Sequence, residues 1–225
     1  MKIILVLILV YFIYISPTIY YRLLNKRVKK FHSDNEITLT FDDGIDKVYT
    51  EKLLDLLYKY NIKATFFILS STIEKNPQIL KRMENEGHLI ALHSLEHKCS
   101  LFKGYFYTKR DFEDSIKIFK ENNIDIKYFR PPWGVFNLFT IRYIKKNNLK
   151  IILWNVMVGD WKSSITSEDI ERKLMKKIKA GSIICLHDGR GKDEAPSRTI
   201  EALKNVIPLL KEKNYKFITM EKIYG

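Results

Sequence analysis

From Glu36 onward the chain alternates two hydrophobic rhythms, short strand-like apolar runs and longer stretches with apolar residues three or four apart. The first rhythm predicts strands and the second amphipathic helices of about 12 to 16 residues. Seven strands are expected, at residues 37–41, 64–69, 88–92, 127–129, 150–156, 182–186 and 216–220. Helix starts are signalled between them by Asn76 before Pro77, Thr108 with Asp111 three residues on, Asn137, and Thr166 or Ser167 before Ile170. Pro208 in the last helical stretch predicts a kink. Strand and helix alternating in this way is the pattern of an α/β fold with a parallel sheet, either closed into a barrel or open and doubly wound.

The N-terminus has a third pattern. Residues 3–15 form an unbroken apolar run, and continuing through Ser16-Pro17-Thr18 to Tyr21 gives 19 residues. That is about 28 Å as a helix, against a hydrocarbon core of about 30 Å. No small-residue cleavage site follows, so an uncleaved transmembrane anchor is expected rather than a secretory signal peptide. Residues 1–31 read as anchor plus basic juxtamembrane segment, and residues 32–225 as one catalytic domain. Tyr11, Tyr14, Tyr20 and Tyr21 suit the membrane interfaces, while Arg22, Lys26, Arg27, Lys29 and Lys30 suit lipid phosphates. More positive charge follows the segment than precedes it, which by the positive-inside rule favours a cytoplasmic domain.

Composition changes this picture little. A chain of 225 residues, 46% of them hydrophobic, can bury one sizeable core. Cys99 and Cys185 lie far apart without CxxC spacing, so nothing requires a disulfide framework, a zinc finger or an oxidising compartment. The formal charge of +13 favours anionic partners, but the lysines are spread over helix faces without a basic stripe interleaved with aromatics. Nucleic acid is therefore not expected as a partner, and a monomer is.

The polar clusters favour the barrel. Asp42-Asp43, His93 with His97, Arg130, Asp160 and His187 each fall at or just after the C-terminal end of an expected strand. In βα-barrels those ends converge on one rim, where the chemistry takes place. Adjacent side chains in a strand point to opposite faces, so Asp42 and Asp43 can serve one site only if the strand ends there and Gly44 lets the backbone turn. His93 and His97, four residues apart, together with Asp43 make a facial set of two imidazoles and one carboxylate. These three are expected to bind a divalent metal, with Ser94 as a candidate for holding their loop. An open site of this kind lowers the pKa of bound water to roughly 7 to 9 and polarises a carbonyl, leaving a base and an acid to be supplied. Asp42 suits the base and His187 the acid, with Arg130 paired to Asp42 and Asp160 paired to His187.

Five segments together resemble the polysaccharide deacetylases of the NodB-homology type, a family of metal-dependent carbohydrate esterases: Thr-Phe-Asp-Asp-Gly at 40–44, His-Ser-x-x-His at 93–97, Arg-Pro-Pro-Trp-Gly at 130–134, Gly-Asp-Trp at 159–161 and Leu-His-Asp at 186–188. The resemblance covers about residues 36–223. It implies a distorted (β/α)7 TIM-like barrel, here preceded by the N-terminal helix. It also implies a divalent metal ion, usually zinc, with cobalt, nickel or manganese as substitutes. The activity implied is hydrolytic N-deacetylation of N-acetylglucosamine units in a cell-wall or chitin-like polysaccharide, peptidoglycan above all. The family's roles fall on Asp42 as base, on Asp43, His93 and His97 as metal ligands, on His187 as acid, and on Arg130 and Asp160 as their partners. They place Trp161 and Leu186 beside the acetyl methyl and the Trp133 backbone N–H at the oxyanion. Leu92 stands where the family often has a polar residue, which touches no ligand.

Two other readings fit parts of the sequence. An iron oxygenase uses the same facial set but leaves Asp42 and His187 without a task. A membrane-tethered glycan-binding protein without turnover would use Trp133 and Trp161 as sugar platforms, but has no need of an intact acid and base. Because glycan polymers lie outside the cell, the catalytic domain is expected on the outer face of a bacterial envelope, against the charge rule.

Overall fold

Strand β1 (Glu36–Asp42) is buried along both faces except at its first residue, as a strand at the centre of a covered sheet must be. The computed structural model describes residues 2–24 and 35–224. Lys26, Arg27, Lys29, Lys30 and the expected domain boundary after residue 31 lie outside them. β1 pairs in parallel with β2 (Thr65–Ile68) on one side and with β7 (Ile183–His187) on the other. The register with β7 runs from Thr38 opposite Ile183 to Asp42 opposite His187, so both strands end level.

Beyond β2 follow β3 (Leu89–Leu92), β4 (Tyr128–Phe129) and β5 (Lys150–Ile151), and beyond β7 lies β6 (Val156–Met157). A short β8 (Lys216–Phe217) pairs with the start of β1. All these pairings are parallel. The sheet is the curled, incompletely closed (β/α)7 type of barrel, and among the described residues β5 and β6 do not pair.

That seam explains a difference from the expected strands. The run at 150–156 is two strands, one at each end of the sheet, because residues 152–155 leave the ladder. The Asn155 side chain accepts a hydrogen bond from the Ile183 N–H (2.8 Å) and donates one to the Gly181 carbonyl (3.1 Å). It thereby replaces ladder bonds that the strand gives up.

Helices cover the sheet: α2 (Tyr49–Lys59), α3 (Pro77–Asn85), α4 (Tyr105–Glu121), α5 (Leu138–Lys146), α6 (Ser167–Lys177), α7 (Ala195–Glu212) and α8 (Met220–Tyr224). Their apolar stripes meet Ile37, Leu39, Phe41 and Phe66 in one core, where the Phe41 and Phe66 rings stack at 5.3 Å. Asn137 and Thr166 cap α5 and α6, accepting from the Thr140 and Asp169 N–H groups. Thr108 and Asp111 do not cap α4. The helix starts earlier, after Gly104, and the Thr108 hydroxyl donates back to the Gly104 carbonyl at 3.0 Å. α7 continues through Pro208 as one helix.

The N-terminal helix α1, Lys2–Leu23, contains wide turns at Tyr11–Ile15 and Tyr20–Leu24. Its 22 residues make a rod of about 33 Å, long and apolar enough to cross a bilayer core. Ile3 to Val10 are exposed, whereas Pro17 and Thr18 are buried against the domain.

Candidate active site

The level ends of β1 and β7 set Asp42 and His187 side by side at the mouth of the sheet. Asp43, His93, His97, Trp133, Trp154, Trp161 and Cys185 join them around a cleft of about 880 Å³. β1 stops at Asp42, and the turn falls on Asp43 itself, whose φ of 75° is left-handed. The sequence places that freedom at Gly44. What Gly44 supplies instead is room, since a Cβ there would collide with the Asp188 carboxylate. Ser94, His97 and Trp133 are also left-handed, so unfavourable backbone gathers around the cleft.

Asp43 faces both imidazoles. Its Oδ1 lies 3.4 Å from His93 Nε2 and 3.2 Å from His97 Nε2, and it has no hydrogen-bond partner. His93 Nδ1 is 2.7 Å from the Arg130 carbonyl, which can only accept, so Nδ1 carries a proton and Nε2 is the ring nitrogen presented to Asp43. Burial, together with His93 and Arg190, outweighs Asp43 and lowers the pKa of His97 to about 4, which keeps its ring neutral. Burial would raise the pKa of Asp43, but the neighbouring imidazoles of His93, His97 and His187 bring it down to about 2. Two imidazoles and an ionised carboxylate, their ligand atoms within 4.8 Å of one another, fit a divalent cation and leave coordination positions open. Ser94 Oγ accepts from the His97 N–H at 3.0 Å, so this serine does brace the loop.

On one flank Arg130, fully buried, donates from Nη1 to Asp42 Oδ1 (2.6 Å) and to Thr40 Oγ1 (2.7 Å), with its guanidinium 4.0 Å over the Phe67 ring. On the other flank Asp160 accepts from the His187 backbone N–H (2.8 Å) and faces its Nδ1 (3.1 Å), while Thr199 donates to the same carboxylate. Burial alone would lower the pKa of His187, but the charge of Asp160 and its hydrogen bond overcome this and raise it to about 9. The Trp161 ring packs against His187 at 5.1 Å, and the Trp133 ring, 54% exposed, leans on His97 at 4.3 Å.

Leu186 stands apart from the other expected site residues. It is fully buried in the core on the opposite face of β7 and does not line the cleft. Strand alternation is the reason: Cys185 and His187 share the inward face, and Cys185 Sγ lies 3.4 Å from Asp42 Oδ2. The same period-two rule would have found Cys185, two residues before His187, and Thr40, two before Asp42. Asp111 carries no comparable signal, yet its Oδ1 accepts from Leu95 N–H at 2.7 Å and tethers the histidine loop to α4. Arg190, Lys162 and Lys192 add a cationic rim.

With this geometry in place, likeness to known proteins can be stated. The sequence profile of the polysaccharide deacetylase family matches residues 29–152. A peptidoglycan-N-acetylglucosamine deacetylase of Bacillus cereus is 33% identical over 194 residues, covering 85% of this chain and 89% of its own. A peptidoglycan-N-acetylmuramic acid deacetylase of Bacillus subtilis is 30% identical, covering 89% of this chain and 78% of its own. A family 4 acetyl xylan esterase from Clostridium thermocellum, solved with a cobalt ion, superposes with a TM-score of 0.76 at 31% identity, over 84% of this chain and 90% of that one. The chain is therefore a hydrolase belonging to the polysaccharide deacetylase family.

Proposed function

We propose that the chain removes acetyl groups from N-acetylglucosamine units of a cell-wall polysaccharide, peptidoglycan first of all. The observation that carries this reading is a trio of Asp43, His93 and His97 flanked in one cleft by two supported proton carriers. Asp43, His93 and His97 would hold the metal, zinc by preference, with cobalt, nickel or manganese able to replace it. When bound, the ion supplies Lewis-acid polarisation of the acetamide carbonyl and a more acidic water.

Asp42, fixed by Arg130, takes a proton from water as the water oxygen adds to the acetamide carbon. The Trp133 backbone N–H donates to the oxygen that becomes negative. His187, charged through Asp160, gives its Nε2 proton to the sugar nitrogen as the C–N bond breaks, leaving acetate and a free amine. The Trp161 ring and Cys185 flank the acetyl methyl, and the exposed Trp133 ring offers a face for the sugar. α1 anchors this domain to the membrane, with the cleft on the outer side where cell-wall glycan lies.

The test is acetate release by the full-length chain in detergent. The substrates are peptidoglycan, N-acetylglucosamine oligomers and a glycan deacetylated at glucosamine but not at muramic acid, since the two Bacillus relatives differ in that preference. Release abolished by Asp42→Asn is expected. No release with zinc, cobalt, nickel or manganese, or release indifferent to Asp42→Asn, refutes the proposal. For the location, proteolysis of the domain on intact cells is expected, and full protection reverses it.

A further inference from the structure

We propose that the last turns of α1 belong to the catalytic apparatus: Arg22 and Thr18 are positioning residues that hold the loop carrying the Trp133 backbone N–H. This rests on the deacetylase reading above only for its effect on rate.

The loop needs a holder. Trp133 has φ 55° and ψ 5°, and Gly134 follows at φ 64°, two successive left-handed residues of which the first is a bulky aromatic. A side chain in that region costs on the order of 1–3 kcal/mol and persists only where the surroundings impose it. Within the loop, Gly134 N–H reaches the Pro131 carbonyl (2.8 Å) and Val135 N–H the Pro132 carbonyl (3.3 Å). The other carbonyls are taken by α1. Arg22 donates from Nε to the Gly134 carbonyl (3.1 Å) and from Nη2 to the Trp133 carbonyl (3.0 Å). One planar guanidinium thus fixes the two peptide planes that follow the Trp133 N–H, a task suited to its rigid fork.

Thr18 fastens the next residue. Its hydroxyl accepts from the Phe136 N–H (2.8 Å) and donates to the Phe136 carbonyl (2.7 Å), as a neighbouring strand would. The Tyr21 ring meets the Phe136 ring edge-on at 5.3 Å, and Tyr14 meets Phe139 at 6.1 Å. A second path leads inward. The Arg22 guanidinium lies 5.6 Å from the Trp154 ring centre and the Arg130 guanidinium 5.5 Å from the same ring, so Trp154 links Arg22 to the group that orients Asp42. Gly134 is matched to this arrangement, since a Cβ there would strike both the Arg22 guanidinium and the Trp154 ring. An inert tether needs none of these contacts, and α1 buries Pro17 and Thr18 to make them.

The experiment uses the full-length chain in detergent micelles, with Arg22→Gln, Arg22→Lys and Thr18→Val. A misplaced oxyanion donor is expected to lower kcat by about 10- to 100-fold, with KM within about threefold because ground-state binding is not the interaction removed. Arg22→Lys, which keeps a donor but not the fork, is expected to recover part of the loss. Hydrogen exchange of residues 131–137 gives a readout independent of turnover: protection falls there in Arg22→Gln and Thr18→Val and stays unchanged in β1 and β7. Unchanged kcat, unchanged exchange, or loss of protection spread evenly over the domain overturns the inference. If the wild-type chain releases no acetate, the deacetylase reading fails, and the exchange readout still decides whether α1 holds the loop.

Discussion

Replacing Asp160 by Asn isolates the proposed proton donor, His187, while preserving side-chain size. The Asn oxygen can still accept from the His187 backbone N–H and from Thr199, but an amide nitrogen would then face His187 Nδ1, where a charged oxygen now lies at 3.1 Å. The His187 pKa stands at about 9 against an ordinary 6.5, and the opposing pull of burial stays when the carboxylate is gone. The charges of Asp42 and Asp43, which also raise it, stay as well, so it falls toward the ordinary value. At about pH 8 an imidazole of pKa 9 is about nine-tenths protonated and one of pKa 6.5 only about 3%, a loss of about 30-fold in the active form. The sign follows from the role: the acid must carry its proton, so activity persists below the pKa and is lost above it. The assay is the profile of kcat/KM from about pH 5 to 10. The wild-type chain is expected to lose activity above about pH 9, and Asp160→Asn to lose it at a lower pH, with the smallest difference between them at acid pH. An alkaline limb at the same pH in both proteins, or a loss equal at every pH, would show that Asp160 does not act through the charge of His187.

Other perturbations separate the parts of the site. Stripping divalent ions with a chelator is expected to abolish acetate release, with recovery on adding zinc or cobalt, and His97→Ala to lower the bound metal seen by elemental analysis. Full metal content in that variant would remove His97 from the ligand set. Arg130→Met leaves the Asp42 carboxylate buried without its cation, which is expected to cost about 3–5 kcal/mol in urea unfolding; a loss below about 1 kcal/mol would mean the pair is not buried as described. Leu186→Ala removes a fully buried core side chain and is expected to cost about 2–5 kcal/mol while the alkaline limb set by His187 stays in place. A shift of that limb without lost stability would return Leu186 to the cleft.

The residues that converge on the rim are legible because each falls at or just after the end of a strand-like apolar run. Ile37, Leu39 and Phe41 mark β1, and the carboxylates after them can only lie at its end. What escaped detection depends on contacts that have no period. Asn155 breaks the run at 150–156 with a side chain that imitates backbone, and nothing local distinguishes that from a continuous strand. The Thr108 and Asp111 spacing imitates a capping box, while Asp111 serves a loop sixteen positions earlier in the chain. Leu186 was drawn into the cleft by its place in a motif, against the alternation that gives the inward face to Cys185. Arg22 carries the signal of a membrane flank, and only tertiary packing shows that it also reaches Trp133 and Gly134.

The register of β1 against β7 also has a consequence for the order in which competence arises during synthesis. Asp42, Asp43, His93 and His97 are made within the first hundred residues, and Arg130 soon after, whereas Asp160 and His187 come much later. Because β1 gains its β7 neighbour only after about 140 intervening residues, closing that pair is a late, high-entropy event. A nascent chain can thus bring Asp43, His93 and His97 together well before it owns His187, the proposed proton donor, so on that proposal turnover begins only once the C-terminal third has folded back onto the first strand.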